Sequence, residues 1–194
     1  MKNIIIILYL VFVSVSCYSQ QTHEFEFTLI DTLPGTKSEL YIYARSWLAS
    51  AFKSSKSVIE MEDKESGTII GNGIFVHPVN SAFGNQVGID IIRFTIAINT
   101  KDNKYRAILS NYFHSYIQQA STYIPGQPVA SDVGRAVSQD RNGGSLENAK
   151  PDCGTFMITK NQWKEIKEFS KEKSEALLKE LKKAMIAGKS KADF

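Results

Sequence analysis

The side chains that could do chemistry are few and widely spaced in this sequence. The histidines are His23, His77 and His114, and none has a cysteine or carboxylate beside it at metal-ligand spacing. The two cysteines, Cys17 and Cys153, are far apart and belong to no Cys-x-x-Cys pair. The sequence therefore predicts no metal site and no cofactor.

A hydrolytic site would need a nucleophile, a base and a group that orients the base. Asp90, His114 and several serines are present, but no Gly-x-Ser-x-Gly elbow presents a nucleophile. Gly71 and Gly73 lack the Gly-Lys-Ser/Thr ending of a phosphate loop, and their spacing on one strand face instead leaves room for a helix side chain such as Trp47. We therefore predict no catalytic or cofactor-binding residue and expect a non-catalytic protein. A hydrolase whose site assembles from distant residues is the alternative.

Three tyrosines mark a possible interaction surface, Tyr112, Tyr116 and Tyr123. An aromatic ring with a polar tip is favoured where proteins recognise partners. Core packing is the competing and commoner interpretation, because sequence alone does not separate buried from exposed rings.

The N-terminus has the three parts of a secretory signal peptide. Lys2 precedes an apolar run from Ile4 to Val15, and small residues follow, so residues 1–19 form the predicted leader with cleavage after Ser19. A helix of 12 residues is about 18 Å long, shorter than the roughly 30 Å hydrocarbon core of a bilayer. We expect a secreted or periplasmic protein of the bacterial cell envelope.

Cys17 offers an alternative to a free product. The residues Val15-Ser16-Cys17 end like a lipobox, and a lipid on this thiol would anchor a structural lipoprotein to the membrane. Only in that case does the sequence imply a membrane partner.

The composition after the leader fits one soluble domain over residues 20–194. These 175 residues can bury a sufficient core, and they hold only one cysteine, so no internal disulfide is possible. Without Lys2 the formal net charge is +2, far from the basic excess of a nucleic-acid-binding protein.

Hydrophobic periodicity predicts strands, two helices and one long loop. A half-buried strand covers residues 24–29, and a capping box at Thr36 and Glu39 opens a helix from Ser38 to Phe52. Two hairpins follow, with strands at 58–62, 68–76, 89–99 and 105–113. In the last strand, alternation assigns Phe113 to the inner face and His114 to the outer face.

The C-terminal part divides into a polar segment and a helix. Residues 118–158 are rich in Ser, Gly, Pro, Asn and Gln, and a polar loop of this length indicates partial disorder. The final helix is predicted over 160–187, with Gly188 ending it.

Two segments resemble a known family. The residues Leu33-Pro34-Gly35-Thr36-Lys37-Ser38-Glu39-Leu40 and Asp63-Lys64-Glu65-Ser66-Gly67-Thr68-Ile69-Ile70-Gly71, with Trp47-Leu48 between them, resemble the bacterial domain-of-unknown-function family DUF4468, which has a TBP-like fold. The resemblance covers a core of about 33–117 and brings no established activity.

The resemblance implies an α+β fold, a curved antiparallel sheet of about five strands with two helices packed on one face. A shared fold is no argument for nucleic-acid binding. We expect an exported domain that binds an unknown protein or small-molecule ligand through the rim of its sheet and the loop that follows.

Overall fold

The computed structural model describes residues 25–52, 59–80, 84, 86–118 and 141–192. The predicted leader with Cys17, Tyr123 and most of the polar loop lie outside these ranges. The elements in chain order are β1 (Phe27–Thr32), α1 (Lys37–Ala51), β2 (Ile59–Asp63), β3 (Thr68–Asn80), β4 (Gln86–Lys101), β5 (Lys104–Gln118), β6 (Gly144–Ser145) and α2 (Lys160–Ala192).

The strands form one open antiparallel sheet with the order β1-β5-β4-β3-β2, and the short β6 pairs with β5. Both helices cover the same face, as the α+β prediction expected. Alternate residues of the strands supply one side of the core, and the helices supply the other. The core side chains of β4 and β5 are Ile92, Phe94, Ile96, Ile98, Tyr105, Ala107, Leu109 and Tyr112. No helix in the described ranges is long and apolar enough to cross a membrane.

Helix α1 begins and packs as its sequence predicts. The Thr36 hydroxyl accepts a hydrogen bond from the Glu39 N–H, and the Glu39 carboxylate accepts one from the Thr36 N–H at 2.7 Å. This capping box satisfies backbone groups at the helix start. Leu40, Ala44 and Leu48 then bury one stripe against the sheet.

A bulge in β5 reverses the predicted faces of its second half. Asn111 has a positive φ of 56°, and the pairing with β4 shifts between Arg93 and Thr95. The extra residue turns His114 inward, where it is completely buried, and leaves Phe113 44% exposed. The assignment from simple alternation was therefore wrong beyond residue 111.

Two glycines have packing roles that differ from the predicted ones. A Cβ on Gly73 would lie 2.3 Å from the ring of Phe94, so this gap is filled from the neighbouring strand and not by Trp47. Gly188 does not end α2, which continues to Ala192. A Cβ at Gly188 would lie 2.8 Å from Tyr43, so the glycine allows the two helices to approach closely.

The described end of the polar segment, residues 141–158, is packed and not a solvated loop. Leu146 and Ile158 belong to the core, and the Leu146 N–H donates to the Tyr112 carbonyl at 3.0 Å. The Trp163 indole N–H donates to the Asn148 carbonyl at 3.0 Å. The expected disorder thus does not apply to this part of the segment, because Leu146 and Ile158 are buried in the core, although Phe156 and Met157 are exposed.

Candidate functional site

A cavity of about 280 Å³ lies at one rim of the sheet. The ends of β3, β4 and β5 form its floor, the start of the 141–158 segment forms one wall, and the first turns of α2 form another. Its lining residues are His77, Pro78, Val79, Asn80, Asp90, Tyr116, Arg141, Ile158, Gln162, Glu165 and Ile166.

The strand register brings an acid and two histidines together on the inner face. His77 is the direct partner of Asp90 across β3 and β4, and His114 on β5 lies opposite Ile92, two residues from Asp90. Such diagonal neighbours are within reach of long side chains. His114 reaches Asp90 only because the bulge at Asn111 turns it inward.

Asp90 is 6% exposed and links the two imidazoles. One carboxylate oxygen is 3.0 Å from His114 Nε2, and the other is 3.2 Å from His77 Nδ1. An ionised carboxylate only accepts hydrogen bonds, so both imidazole nitrogens donate. We call these three residues the rim triad.

Gly143 determines which nitrogen of His114 carries the proton. Its backbone N–H donates to His114 Nδ1 at 3.0 Å, which makes Nδ1 an acceptor and places the proton on Nε2. A Cβ at this position would lie 2.3 Å from Trp163 and 2.6 Å from His114 Nδ1, so only glycine lets the backbone come this close. The Trp163 ring packs edge-on against His114, with centroids 5.8 Å apart.

His77 is the exposed end of the triad. Its side chain is 23% exposed, and its ring lies 4.6 Å from that of Phe169. In the neutral imidazole Nδ1 donates to Asp90, so Nε2 carries a lone pair, and no described residue donates a hydrogen bond to it. The cavity wall therefore carries an oriented acceptor.

Charged and aromatic groups line the same cavity. The guanidinium of Arg141 lies 4.3 Å from the ring centroid of Tyr116, and the Tyr116 hydroxyl donates to the Val87 carbonyl at 3.2 Å. Among the described residues, neither Arg141 nor Glu165 forms an ion pair.

An imidazole held through Nδ1 by a carboxylate, with a free lone pair on Nε2, is the arrangement that a general base needs. The described lining residues include no serine, threonine or cysteine. Within the described ranges, no group of three or more His, Cys, Asp or Glu side chains could hold a metal ion.

The structure buries two of the three tyrosines that marked a possible interaction surface. Tyr112 is 1% exposed and Tyr116 is 2% exposed, so both rings pack in the interior. Tyr112 also forms a hydrogen bond with the Ser174 hydroxyl, and burial raises its pKa well above the usual range. Tyr123 lies outside the described residues.

Sequence reasoning missed the triad as a unit and missed Arg141 altogether. In the observed register His77 lies directly opposite Asp90, but the predicted strands at 68–76 and 89–99 left His77 outside the first strand and so did not pair the two residues. No signal connects His114 to them either, because the alternation pattern does not reveal the bulge.

The comparisons with known proteins agree with the fold. A family described as "Domain of unknown function (DUF4468) with TBP-like fold" matches residues 32–114. The crystal structure of a TBP-like protein from Parabacteroides distasonis ATCC 8503 has a TM-score of 0.56 and 15% identity, covering 87% of this chain and 97% of that one.

A DUF4468 family protein from Bacteroides ovatus ATCC 8483 is 19% identical over 50% of this chain and 58% of its own, with a TM-score of 0.43. A search of curated proteins gives no match. The match over β2 to β5 and α1, together with the shared architecture of the Parabacteroides structure, leads to one conclusion. Residues 32–114 of this chain match the DUF4468 family model, and the chain has a TBP-like fold.

Proposed function

We propose that the protein is an exported binding domain of the cell envelope that takes a small molecule in the rim cavity. One observation carries this: the imidazole of His77 is oriented by Asp90, lines the cavity and keeps an acceptor without a described donor. A concave site with a few convergent polar groups is the usual form of a ligand site.

A binding screen tests the proposal. The purified mature chain is mixed with a small-molecule extract of its own bacterium, and the histidine side-chain ¹⁵N signals are compared before and after. Binding in the cavity should shift the signals of His77. A second compound that displaces the bound molecule from the cavity should restore them. Glu175→Gln, on the exposed side of α2, should respond like the wild type. Unchanged histidine signals with every extract fraction would refute the proposal.

Export rests on Lys2, the apolar run Ile4–Val15 and the small residues after it. Intact-mass analysis of protein purified from its own bacterium should give a chain that starts at Gln20. A chain that starts at an acylated Cys17 would instead support the lipoprotein alternative, and one that keeps Met1 would refute export.

The geometry also favours a second candidate function, a hydrolase with His77 as general base. The specific observation is the His77 Nδ1 to Asp90 contact at 3.2 Å beside a cavity, since this contact would stabilise an imidazolium. Chromogenic acetyl esters, phosphate esters and glycosides test it. Turnover that falls at least 100-fold in His77→Gln, but not in Glu175→Gln, would support the enzyme. Equal rates in both variants would refute it.

A further inference from the structure

We propose that the ligand of the rim cavity is an uncharged polyhydroxylated ring of monosaccharide size. This inference rests on the proposed binding function and adds the chemical class of the ligand. It follows from the hydrogen-bonding capacity, the charges and the volume of the site.

Two acceptors that line the cavity call for donors from a ligand. In the neutral imidazole of His77, Nε2 has a lone pair and no described donor, as the triad geometry requires. The Glu165 carboxylate also lines the cavity, and it forms no ion pair with a described residue. A molecule with several hydroxyl groups supplies donors for both.

The lining charges favour a ligand without net charge. Arg141 and Glu165 are opposite in sign, and neither forms an ion pair with a described residue. The negative charge of Asp90 already accepts hydrogen bonds from two imidazoles. An anion would be attracted by Arg141 and repelled by Glu165. A cation would be attracted by Glu165 and repelled by Arg141. Hydroxyl groups donate to the carboxylate and accept from the guanidinium, so neither charged side chain repels such a ligand.

The remaining lining groups and the volume fit a single sugar-sized ring. The amides of Asn80 and Gln162 both donate and accept, and Val79, Ile158 and Ile166 give apolar surface for the C–H faces of a ring. The volume of about 280 Å³ lies just below the usual range of ligand cavities, about 300–1,000 Å³, so a long chain does not fit inside.

Titration with named probes tests the class. D-glucose, D-galactose, N-acetyl-D-glucosamine and myo-inositol represent neutral rings, acetate represents anions, ethylammonium represents cations and glycine represents zwitterions. At least one ring should bind and shift the His77 Nε2 signal, and the charged probes and glycine should bind at least tenfold more weakly. Binding of acetate, ethylammonium or glycine in preference to every ring would overturn the class and leave the proposed binding function intact.

Two charge variants give a second readout that does not depend on removing the buried triad. Arg141→Gln and Glu165→Gln should each weaken binding of the ring by about threefold to tenfold, because each replaces a charge-assisted hydrogen bond to the same neutral ligand with a weaker neutral one. A charged ligand would instead bind more weakly to one variant and more tightly to the other. Opposite responses would therefore overturn the inference. If neither the probes nor any extract fraction perturbs His77, the inference and the proposed function both fail.

Discussion

Asp90 sets the chemical state of the whole rim triad. It accepts from His114 on one oxygen and from His77 on the other, and Gly143 fixes the tautomer of His114 from the far side. The proton positions in both rings therefore depend on one carboxylate and one backbone N–H.

Replacing this carboxylate with an amide should convert the cavity acceptor into a donor. In Asp90→Asn the amide oxygen still accepts from His114 Nε2, whose tautomer Gly143 holds, and the amide NH₂ then faces His77 Nδ1. His77 should respond by moving its proton to Nε2. The loss of two charge-assisted hydrogen bonds should lower the free energy of unfolding by about 1–3 kcal/mol. Long-range ¹H–¹⁵N spectra and urea denaturation measure the two effects.

Asp31→Asn is the matched control for this experiment. Asp31 also accepts a hydrogen bond from a buried ring, the Tyr105 hydroxyl at 3.3 Å, and none of its described contacts is to a histidine. Its histidine spectra should match those of the wild type. A His77 ring that keeps its proton on Nδ1 in Asp90→Asn would contradict the assigned proton positions.

The Cys153 thiol should react slowly. Burial raises its pKa, so less thiolate is present near neutral pH than in the unfolded chain. Iodoacetamide labelling of Cys153 is measured by mass spectrometry from pH 7 to 10, in the native protein and in urea. Labelling should be slower in the native protein, and its rate should rise at a higher pH there than in urea. Equal rates and equal pH profiles in the two states would contradict this.

The sequence predicts which side chains are buried where they alternate regularly, and the prediction fails at the bulge in β5. Ile92, Phe94, Ile96 and Ile98 are buried as their period of two predicts. Beyond Asn111 the period is broken, which moves Tyr112 and His114 inward. Asparagine tolerates a positive φ in many turns, so its presence alone does not identify a bulge.

The contact between α1 and α2 depends on Gly188. In an ordinary helix interior, Gly→Ala stabilises by about 1 kcal/mol. Here the new Cβ would meet Tyr43 Cγ at 2.8 Å, so Gly188→Ala should destabilise the protein. Urea denaturation of both single variants and the double variant measures the coupling. In a Tyr43→Ala background the same substitution should become stabilising, and a stabilising effect in the wild type would contradict the packing role.

The start of α1 should contribute a pH-dependent part of stability. Hydrogen bonds from Thr36 hold the pKa of Glu39 below its usual range. A carboxylate with a lowered folded-state pKa stabilises the fold above its unfolded pKa, near 4.3, and this contribution is lost as the pH falls through the folded value. Glu39→Gln should therefore be less stable than the wild type at pH 7, and the difference should shrink at pH 3. An equal difference at both pH values, measured by urea denaturation, would contradict it.

At the scale of elements, the sequence is most informative where a local signal is strong. The capping box places the start of α1 within one residue of its observed position at Lys37. The predicted end of α2 was wrong, because Gly188 does not stop the helix but makes room for Tyr43. That role depends on another element, which local patterns do not contain.

At the scale of the whole molecule, the core extends beyond the family segment. Residues 32–114 include α1 and most of the sheet, but the inner face of the sheet also packs against α2 and the 141–158 segment. The predicted two-layer architecture is confirmed, because amphipathic helices and half-buried strands leave few other ways to bury both apolar faces. The packing of residues 141–158 could not be predicted, since their composition resembles that of a loop.

A chain that ends at residue 118 should not fold cooperatively. It would lose seven buried apolar side chains, Leu146, Ile158, Trp163, Ile166, Leu178, Leu181 and Met185. At about 1.5–3 kcal/mol for each side chain, their burial contributes roughly 10–20 kcal/mol. This is at least comparable to the typical net stability of a folded protein, about 5–15 kcal/mol. Urea denaturation followed by circular dichroism should show no cooperative transition for residues 25–118. A chain that ends at Ser190 keeps every one of these side chains and should unfold cooperatively. A sharp transition for residues 25–118 would mean that the family segment is an independent folding unit and that α2 is an addition to it.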